Sequence, residues 1–165
     1  MVSKKTNITT PVTSELDAKG IPYRFFRHSG TVHSLDQAAQ ERGQQPEQVI
    51  RSIVFRLSAG EFIIVLVSGP RRISWSALRK YLHQSRLTMA SEQEIKNATG
   101  YPLGAVSPFG LPKPLRILVD KSVFQVQAKE ISIGSGVRYS TVIMKLEDLN
   151  RALGDFELVH FCKED

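Results

Sequence analysis

The sequence contains a single cysteine, Cys162, among its 165 residues, and this scarcity excludes two classes of protein. One thiol cannot form an internal disulfide framework, and it cannot supply a zinc site built from several cysteines. The 4 histidines show neither an HExxH arrangement nor a pair at metal-ligand spacing on a helix. We therefore expect no metal site and no covalent catalysis by Cys162.

Nucleotide-binding fingerprints are also missing. Gly100 and Gly104 begin a spacing like that of a phosphate-binding loop, but no Gly-Lys-Ser/Thr follows them. The segment Gly134-Ser135-Gly136 lacks the third glycine and the helix of a dinucleotide-binding turn. These absences predict a protein that works without a cofactor.

The sequence has no long hydrophobic run, since the longest, residues 62–67, has only the length of a strand. A membrane-spanning helix needs about 20 apolar residues. The lysines near the N-terminus are followed by no apolar signal core. We therefore expect a cytoplasmic protein without a membrane partner. Its net charge of +6 and isoelectric point near 9.6 favour a polyanionic partner, although solubility alone would also explain them.

Helix signals and strand signals alternate along the chain. N-cap residues predict short helices that begin after Thr10, Ser34, Ser74 and Ser91, and the apolar spacing predicts a fifth helix over residues 146–153. Apolar runs predict strands over residues 21–27, 49–57, 61–67, 115–119, 130–133, 140–145 and 156–161. The runs 49–57 and 61–67 form a hairpin around a Gly-containing turn.

Short helices mixed with short strands predict an α+β fold. We expect a single domain, residues 10–165, with a curved, barrel-like mixed β-sheet surrounded by short helices. Residues 1–9 are polar and are predicted to form a flexible N-terminus.

Two features remain as candidates for a site. Residues 99–110, Thr-Gly-Tyr-Pro-Leu-Gly-Ala-Val-Ser-Pro-Phe-Gly, are dense in glycine and proline, which is typical of a tight connection or of a stiff loop that presents backbone N–H groups to a ligand. Arg51 interrupts an apolar strand and lies either at an exposed strand end or beside a ligand. Loop amides, a basic residue on a neighbouring strand and a few Ser/Thr hydroxyls suffice to bind an activated ester, polarise its carbonyl and admit water without a protein nucleophile.

These features occur in a recognisable order. The chain from about Thr10 to Phe161 resembles the YbaK/prolyl-tRNA-synthetase-associated domain family. The resemblance rests on residues 48–56, 90–92, 99–110, 118–120, 132–136 and 146–149, and the string at 99–110 is its most specific part.

The resemblance implies an aminoacyl-tRNA deacylase that removes a wrong amino acid from tRNA in trans. It implies catalysis by water and the 2′-hydroxyl of the tRNA, which would exclude DNA as a substrate. An aminoacyl-tRNA is the expected partner, with an aminoacyl-tRNA synthetase as a second. The implied catalytic positions are Arg51, Gly104, Ala105 and Ser107. The implied substrate-binding positions are His28, Ser52, Thr99, Val106, Pro108, Ser132, Gly134 and Gly136.

One position departs from the family pattern, because Arg51 stands where the resemblance implies a lysine. A guanidinium keeps the charge but is larger and flatter than an ammonium group. Two other hypotheses therefore stay open beside the deacylase. One is a non-catalytic module that binds tRNA or a synthetase, and the other is a regulatory domain for a free amino acid or nucleotide.

Overall fold

The computed structural model describes residues 8–164. The predicted flexible segment 1–9 therefore lies mostly outside the described residues. The helices are α1 (Pro11–Ala18), α2 (Leu35–Glu41), α3 (Trp75–Leu82), α4 (Glu92–Thr99) and α5 (Leu146–Leu153), with short 3-10 turns at Pro46–Gln48 and Lys121–Gln125. The strands are β1 (Arg24–Arg27), β2 (Ile50–Leu57), β3 (Phe62–Ser68), β4 (Leu87–Met89), β5 (Arg116–Asp120), β6 (Glu130–Gly134), β7 (Ser140–Lys145) and β8 (Glu157–Val159).

The helix starts follow from capping side chains. Thr10, Ser34, Ser74 and Ser91 each accept a hydrogen bond from a backbone N–H in the first turn of the helix that follows. These bonds satisfy amides that have no partner inside the helix. The predictions of α1 to α4 are confirmed at their N-termini for this reason.

The strands form two sheets. A three-stranded antiparallel sheet has the order β1-β7-β6, and a five-stranded mixed sheet has the order β4-β2-β3-β5-β8. The predicted hairpin is confirmed, since β2 and β3 pair antiparallel. β3, β5 and β8 run parallel to one another. An isolated parallel bridge between Val49 and Ser132 brings the start of β2 beside β6.

The prediction of one barrel-like sheet is wrong. The described strands divide between two sheets, and neither sheet closes on itself. A hydrophobic core fills the space between the sheets and includes Ile50, Val54, Ile131 and Ile133. A second core covers the other face of the larger sheet and includes Phe55, Leu78 and Phe161. Within residues 8–164, no helix is long and apolar enough to cross a membrane.

Candidate functional site

A cavity of about 340 Å³ opens where β2, β6 and the loop before β5 meet. Ile50, Val54, Ile95 and Ile133 provide apolar wall, and the polar lining includes Arg42, Ser52, Ser132 and Thr141. This volume lies within the range of small-ligand sites. None of the lining residues that the structure describes is a cysteine, a histidine or a carboxylate.

The loop of residues 99–110 forms one side of the cavity and is held by internal hydrogen bonds. The Tyr101 hydroxyl donates to the Phe109 carbonyl, and the Ala105 N–H donates to the Pro102 carbonyl over 3.1 Å. The Gly136 N–H donates to the Ala105 carbonyl over 3.0 Å, which ties the loop to the turn after β6. A Cβ at Gly134 would lie 1.9 Å from the Val106 carbonyl oxygen, so the close approach of loop and strand requires glycine there.

Gly104 stands at the mouth of this cavity. It is exposed, it adopts a φ of +89°, and its N–H makes no backbone hydrogen bond within residues 8–164. Leu103 beside it is also exposed and also lines the cavity. The loop therefore has an amide without a backbone partner at an exposed residue that lines the cavity.

Strand β2 contributes two neighbouring polar residues that point to opposite faces. Successive side chains of a strand alternate, so Ser52 shares a face with Ile50 and Val54 and is directed toward the cavity. Its hydroxyl oxygen is buried and has no hydrogen-bond partner among the described residues. A buried hydroxyl without a partner carries a desolvation cost that a bound ligand can remove.

The side chain of Arg51 extends along the opposite face of β2. Its Nε–H donates to the Gly69 carbonyl over 2.6 Å, and its Nη2 donates to the Arg71 carbonyl. Burial lowers the pKa of the Arg51 guanidinium. Arg51 borders the cavity and also a groove on the other face of the sheet.

A second arginine, Arg42 at the end of α2, supplies charge to the cavity itself. Its Nε–H donates to His28 Nε2 over 3.1 Å, and its Nη1 donates to Ser132 Oγ over 2.9 Å. Burial lowers the pKa of Arg42 to about 10, against an opposing effect of Glu41. No carboxylate lies within 4.0 Å of its guanidinium among residues 8–164, so this cation has N–H groups available for an anionic or carbonyl ligand.

His28 does not line the cavity, but its hydrogen bond with Arg42 holds the guanidinium in place. Its side chain is fully buried, and its Nδ1 lies 3.1 Å from Glu41 Oε1. Because the arginine Nε–H can only donate, His28 Nε2 accepts from it, and the His28 Nδ1–H donates to Glu41 Oε1. Two hydrogen bonds lower the pKa of Glu41, the larger effect coming from His28 and the smaller from Gln37. The result is a fixed chain of contacts from Glu41 through His28 to Arg42.

The cavity brings together half of the residues predicted from the sequence. Arg51, Ser52, Gly104, Val106, Ser132 and Gly134 line it. Ala105, Ser107, Pro108, Thr99, Gly136 and His28 are not part of its lining.

Most of those outside the lining support the loop. The Thr99 hydroxyl donates to the Ile95 carbonyl, the Ser107 hydroxyl accepts from the Phe109 N–H, and Gly136 packs against the Tyr101 ring.

Arg42 was missed, although the sequence holds a signal for it. It follows Ala38 by four residues and Ala39 by three, so it continues the buried face of α2.

This arrangement can bind a carbonyl compound and stabilise developing negative charge. The Gly104 N–H, the Arg42 guanidinium and the Ser52 hydroxyl are the polar groups of the lining that have hydrogen-bonding capacity left for a ligand. No group of three or more His, Cys, Asp or Glu side chains in the described part of the chain could hold a metal ion. The lining offers no side chain to act as a general base, so a proton must pass to water or to the ligand itself.

Comparison with known proteins gives sequence relatives and a structural relative. The chain is 24% identical over 100 residues to the proline–tRNA ligase of Aquifex aeolicus (strain VF5), a match that covers 61% of this chain and 18% of the ligase. It is 29% identical over 100 residues to the proline–tRNA ligase of Thermosipho melanesiensis, covering 61% of this chain and 17% of the ligase. The matched segment thus spans less than a fifth of these enzymes.

The fold is similar to the crystal structure of a candidate trans-editing enzyme for prolyl-tRNA synthetase. The TM-score is 0.83 at 22% sequence identity, over 93% of this chain and 96% of that one. The model of the aminoacyl-tRNA editing domain family matches residues 29–152, which include every lining residue of the cavity. The chain therefore belongs to the aminoacyl-tRNA editing domain family.

Proposed function

We propose that this chain hydrolyses the ester bond between a mischarged amino acid and its tRNA, acting in trans. The observation that carries the proposal is the cavity beside Gly104, which combines an apolar wall with the half-buried guanidinium of Arg42. No carboxylate of residues 8–164 forms an ion pair with that guanidinium. Membership of the editing-domain family supports the same substrate class. An aminoacyl-tRNA substrate would place the protein in the cytoplasm.

The ester carbonyl is the group that the polar lining fits. In the proposed complex, the Gly104 N–H and an Arg42 N–H donate hydrogen bonds to the carbonyl oxygen. These hydrogen bonds become stronger as that oxygen becomes an oxyanion. The apolar wall formed by Ile50, Val54 and Ile133 receives the amino-acid side chain. A small side chain suits a cavity that must also admit part of the terminal ribose.

Water supplies the nucleophile in this proposal. It adds to the ester carbon, the bond from that carbon to the ribose oxygen breaks, and the ribose oxygen takes up a proton. The products are the free amino acid and the uncharged tRNA. The neighbouring 2′-hydroxyl of the ribose is the group placed to relay the proton, because the lining offers no carboxylate or histidine.

The other predicted residues divide between binding and support. Arg51 contacts the phosphate of the terminal nucleotide through the N–H groups that Gly69 and Arg71 do not engage. Val106, Ser132 and Gly134 complete the wall. Ala105 and Ser107 hold the loop through hydrogen bonds with Pro102, Gly136 and Phe109, and Pro108 is buried beside them.

A panel of mischarged tRNAs tests the proposal. Each tRNA is incubated with a catalytic amount of the full chain, and the loss of the labelled amino acid is followed over several turnovers. We expect accelerated hydrolysis for at least one pair with a small amino acid. Hydrolysis at the uncatalysed rate for every pair would overturn the proposal.

A non-catalytic tRNA-binding module is the second candidate. The observation that favours it is the engagement of Arg51 by two backbone carbonyls, at the position where the family resemblance implies a lysine. The variant Arg51→Lys distinguishes the deacylase from the non-catalytic binding module. If it keeps tRNA affinity and gains hydrolysis that the parent chain lacks, the parent is a binding module. If the parent hydrolyses and Arg51→Lys changes the rate by only a few fold, the enzyme is supported.

A further inference from the structure

A groove of about 350 Å³ lies on the face of β2 opposite the cavity. Its floor is apolar and includes Ile53, Phe55 and Ile73. Its rim is basic and consists of Arg51, Arg71, Arg72 and Lys163. No aspartate or glutamate of the described chain is part of the lining, and none lies within 4.0 Å of these four cations.

The backbone fixes this basic rim. Arg51 donates to the carbonyls of Gly69 and Arg71 and so braces the turn that carries Arg71 and Arg72. The Lys163 N–H donates to the Arg72 carbonyl over 2.7 Å, and the Ser74 N–H donates to the Phe161 carbonyl over 2.7 Å. Cations from two distant parts of the chain are thereby held on one groove.

An aromatic side chain borders the same groove. Trp75 is 37% exposed although it is large and apolar, and its ring meets the Phe55 ring in an edge-to-face arrangement at a centroid distance of 5.2 Å. Met89, 54% exposed, lies on the groove as well. A fixed, open indole beside several cations is the combination that single-stranded nucleic acid binds, by stacking of a base and pairing of its phosphates.

The groove is continuous with the mouth of the cavity. Arg51, Ile53 and Met89 line both. The reason is the short pairing of β4, which meets β2 from Phe55 to Leu57. One further bond joins the Ala90 N–H to the Val54 carbonyl, and residues 50–53 have no partner on β4. A single-stranded nucleic acid whose end lies in the cavity can therefore pass this edge and continue along the groove.

We propose that the groove binds the unpaired nucleotides at the 3′ end of an RNA, with one base stacked on Trp75 and the phosphates on Arg71, Arg72 and Lys163. The direction of the RNA along the groove rests on the proposed function, because the terminal ribose of the RNA would then lie in the cavity. A second copy of this chain fits less well, because its net charge of +6 would be repelled by a basic rim.

Fluorescence of the parent chain tests this proposal without any catalytic step. Trp75 is the only tryptophan in the sequence, so its emission reports on the groove alone. The probes are two uncharged RNA hairpins with the same stem, one with an unpaired four-nucleotide 3′ extension and one with a blunt end. We expect the extended hairpin to quench Trp75 emission and to bind at least about tenfold more tightly. Equal affinity, or binding without a change in emission, would overturn the proposal.

Charge variants provide the matched control. Arg71→Ala/Arg72→Ala should weaken binding of the extended hairpin about tenfold and make the dependence of affinity on salt shallower by about 1 to 2 in slope. Lys129→Ala/Lys145→Ala removes the same charge beside a different surface depression and should change affinity less than twofold. If the two double variants lose the same RNA affinity, only the net charge of the protein matters, and the proposal of a binding site in the groove is overturned.

The two proposals fail separately. If the extended hairpin binds at Trp75 but no mischarged tRNA is hydrolysed, the groove stands and the deacylase does not. If hydrolysis occurs and the Arg71→Ala/Arg72→Ala variant keeps its parent KM and RNA affinity, the groove proposal is overturned and the deacylase stands. A fluorescence change with an acidic peptide that equals the change with RNA would also overturn the groove proposal.

Discussion

At the scale of single residues, the site is defined by which polar groups already have partners. Ser132 Oγ accepts from Arg42 and donates to Gln44 Oε1 over 2.8 Å. Ser52 Oγ, in the same cavity, has no partner among residues 8–164. One serine therefore stabilises the native wall, whereas the other has its hydrogen-bonding capacity free for a ligand.

This contrast predicts different behaviour for two alanine variants. Ser52→Ala should leave the free energy of unfolding unchanged or raise it by up to about 1 kcal/mol, because no hydrogen bond is lost and the desolvation cost of an unpartnered hydroxyl is removed. The same variant should lower the rate of ester hydrolysis about tenfold. Ser132→Ala should destabilise the protein by about 1–3 kcal/mol, because Arg42 and Gln44 both lose a partner. Urea unfolding and deacylation rates measure the two effects. A Ser52→Ala variant with full activity would remove Ser52 from the site.

At the scale of elements, the loop of residues 99–110 depends on two glycines for different reasons, Gly104 within the loop and Gly134 in β6 beside it. Gly134 is required by contact, since a Cβ there would meet the Val106 carbonyl. Gly104 is required by conformation, since its φ of +89° is costly for other residues while the nearest atom to an added Cβ, Arg138 Nε, is 4.0 Å away. A substitution at Gly104 therefore tests the loop without a clash.

Gly104→Ala has a matched control in Gly60→Ala. Gly60 lies in the turn between β2 and β3, has a φ of +91°, and has open space around an added Cβ. Both variants should lose about 1–2 kcal/mol of unfolding free energy, since both force alanine into the left-handed region. Only Gly104→Ala should reduce hydrolysis, by about tenfold or more. Equal activity of the two variants would contradict a role for the Gly104 amide.

The elements that could be predicted from the sequence are those with local causes. Capping side chains define the starts of α1 to α4, and apolar runs define β2 and β3. Strand β4 was missed, because Leu87–Met89 has one buried residue and becomes a strand only by pairing with β2. The division into two sheets was missed as well, since it depends on the pairing of β1 with the distant β7.

The site was predictable to the extent that its residues form a sequence motif. The string at 99–110, the start of β2 and the segment 132–136 led to six lining residues. The direction of Arg51 could not be predicted, because it depends on carbonyls of the turn after β3. The role of His28 behind Arg42 requires contact between β1 and α2, which no local pattern encodes.

At the scale of the whole molecule, Asp120 joins the C-terminal segment to the larger sheet. Its Oδ1 accepts from the N–H groups of Phe161 and Cys162, and its Oδ2 accepts from the Ser122 N–H. Burial acts to raise the pKa of Asp120, but these hydrogen bonds outweigh it and the pKa is lowered. The same anchoring holds Lys163 on the groove.

A lowered carboxyl pKa makes this anchor depend on pH in a defined direction. Its contribution to stability is present above the ordinary aspartate pKa and is lost as the pH falls through the lower pKa of the folded state. Asp120→Asn should therefore reduce the free energy of unfolding by about 1–3 kcal/mol at pH 7, because an amide nitrogen would face the Ser122 N–H. The difference from the parent should shrink below about pH 4. Urea unfolding at pH 7 and pH 3 measures it, and a constant difference would contradict the charge-based role.

The central claim is that the cavity beside Arg42 hydrolyses an aminoacyl ester. The most direct measurement compares multiple-turnover deacylation of the best mischarged tRNA by the parent chain, Arg42→Met and Arg56→Met. Arg56 is the matched control, since it is exposed and paired with Glu94 away from the cavity. We predict that Arg42→Met lowers kcat about 10²-fold at a temperature where it is folded, and that Arg56→Met stays within twofold of the parent. Equal kcat for all three proteins would contradict the account.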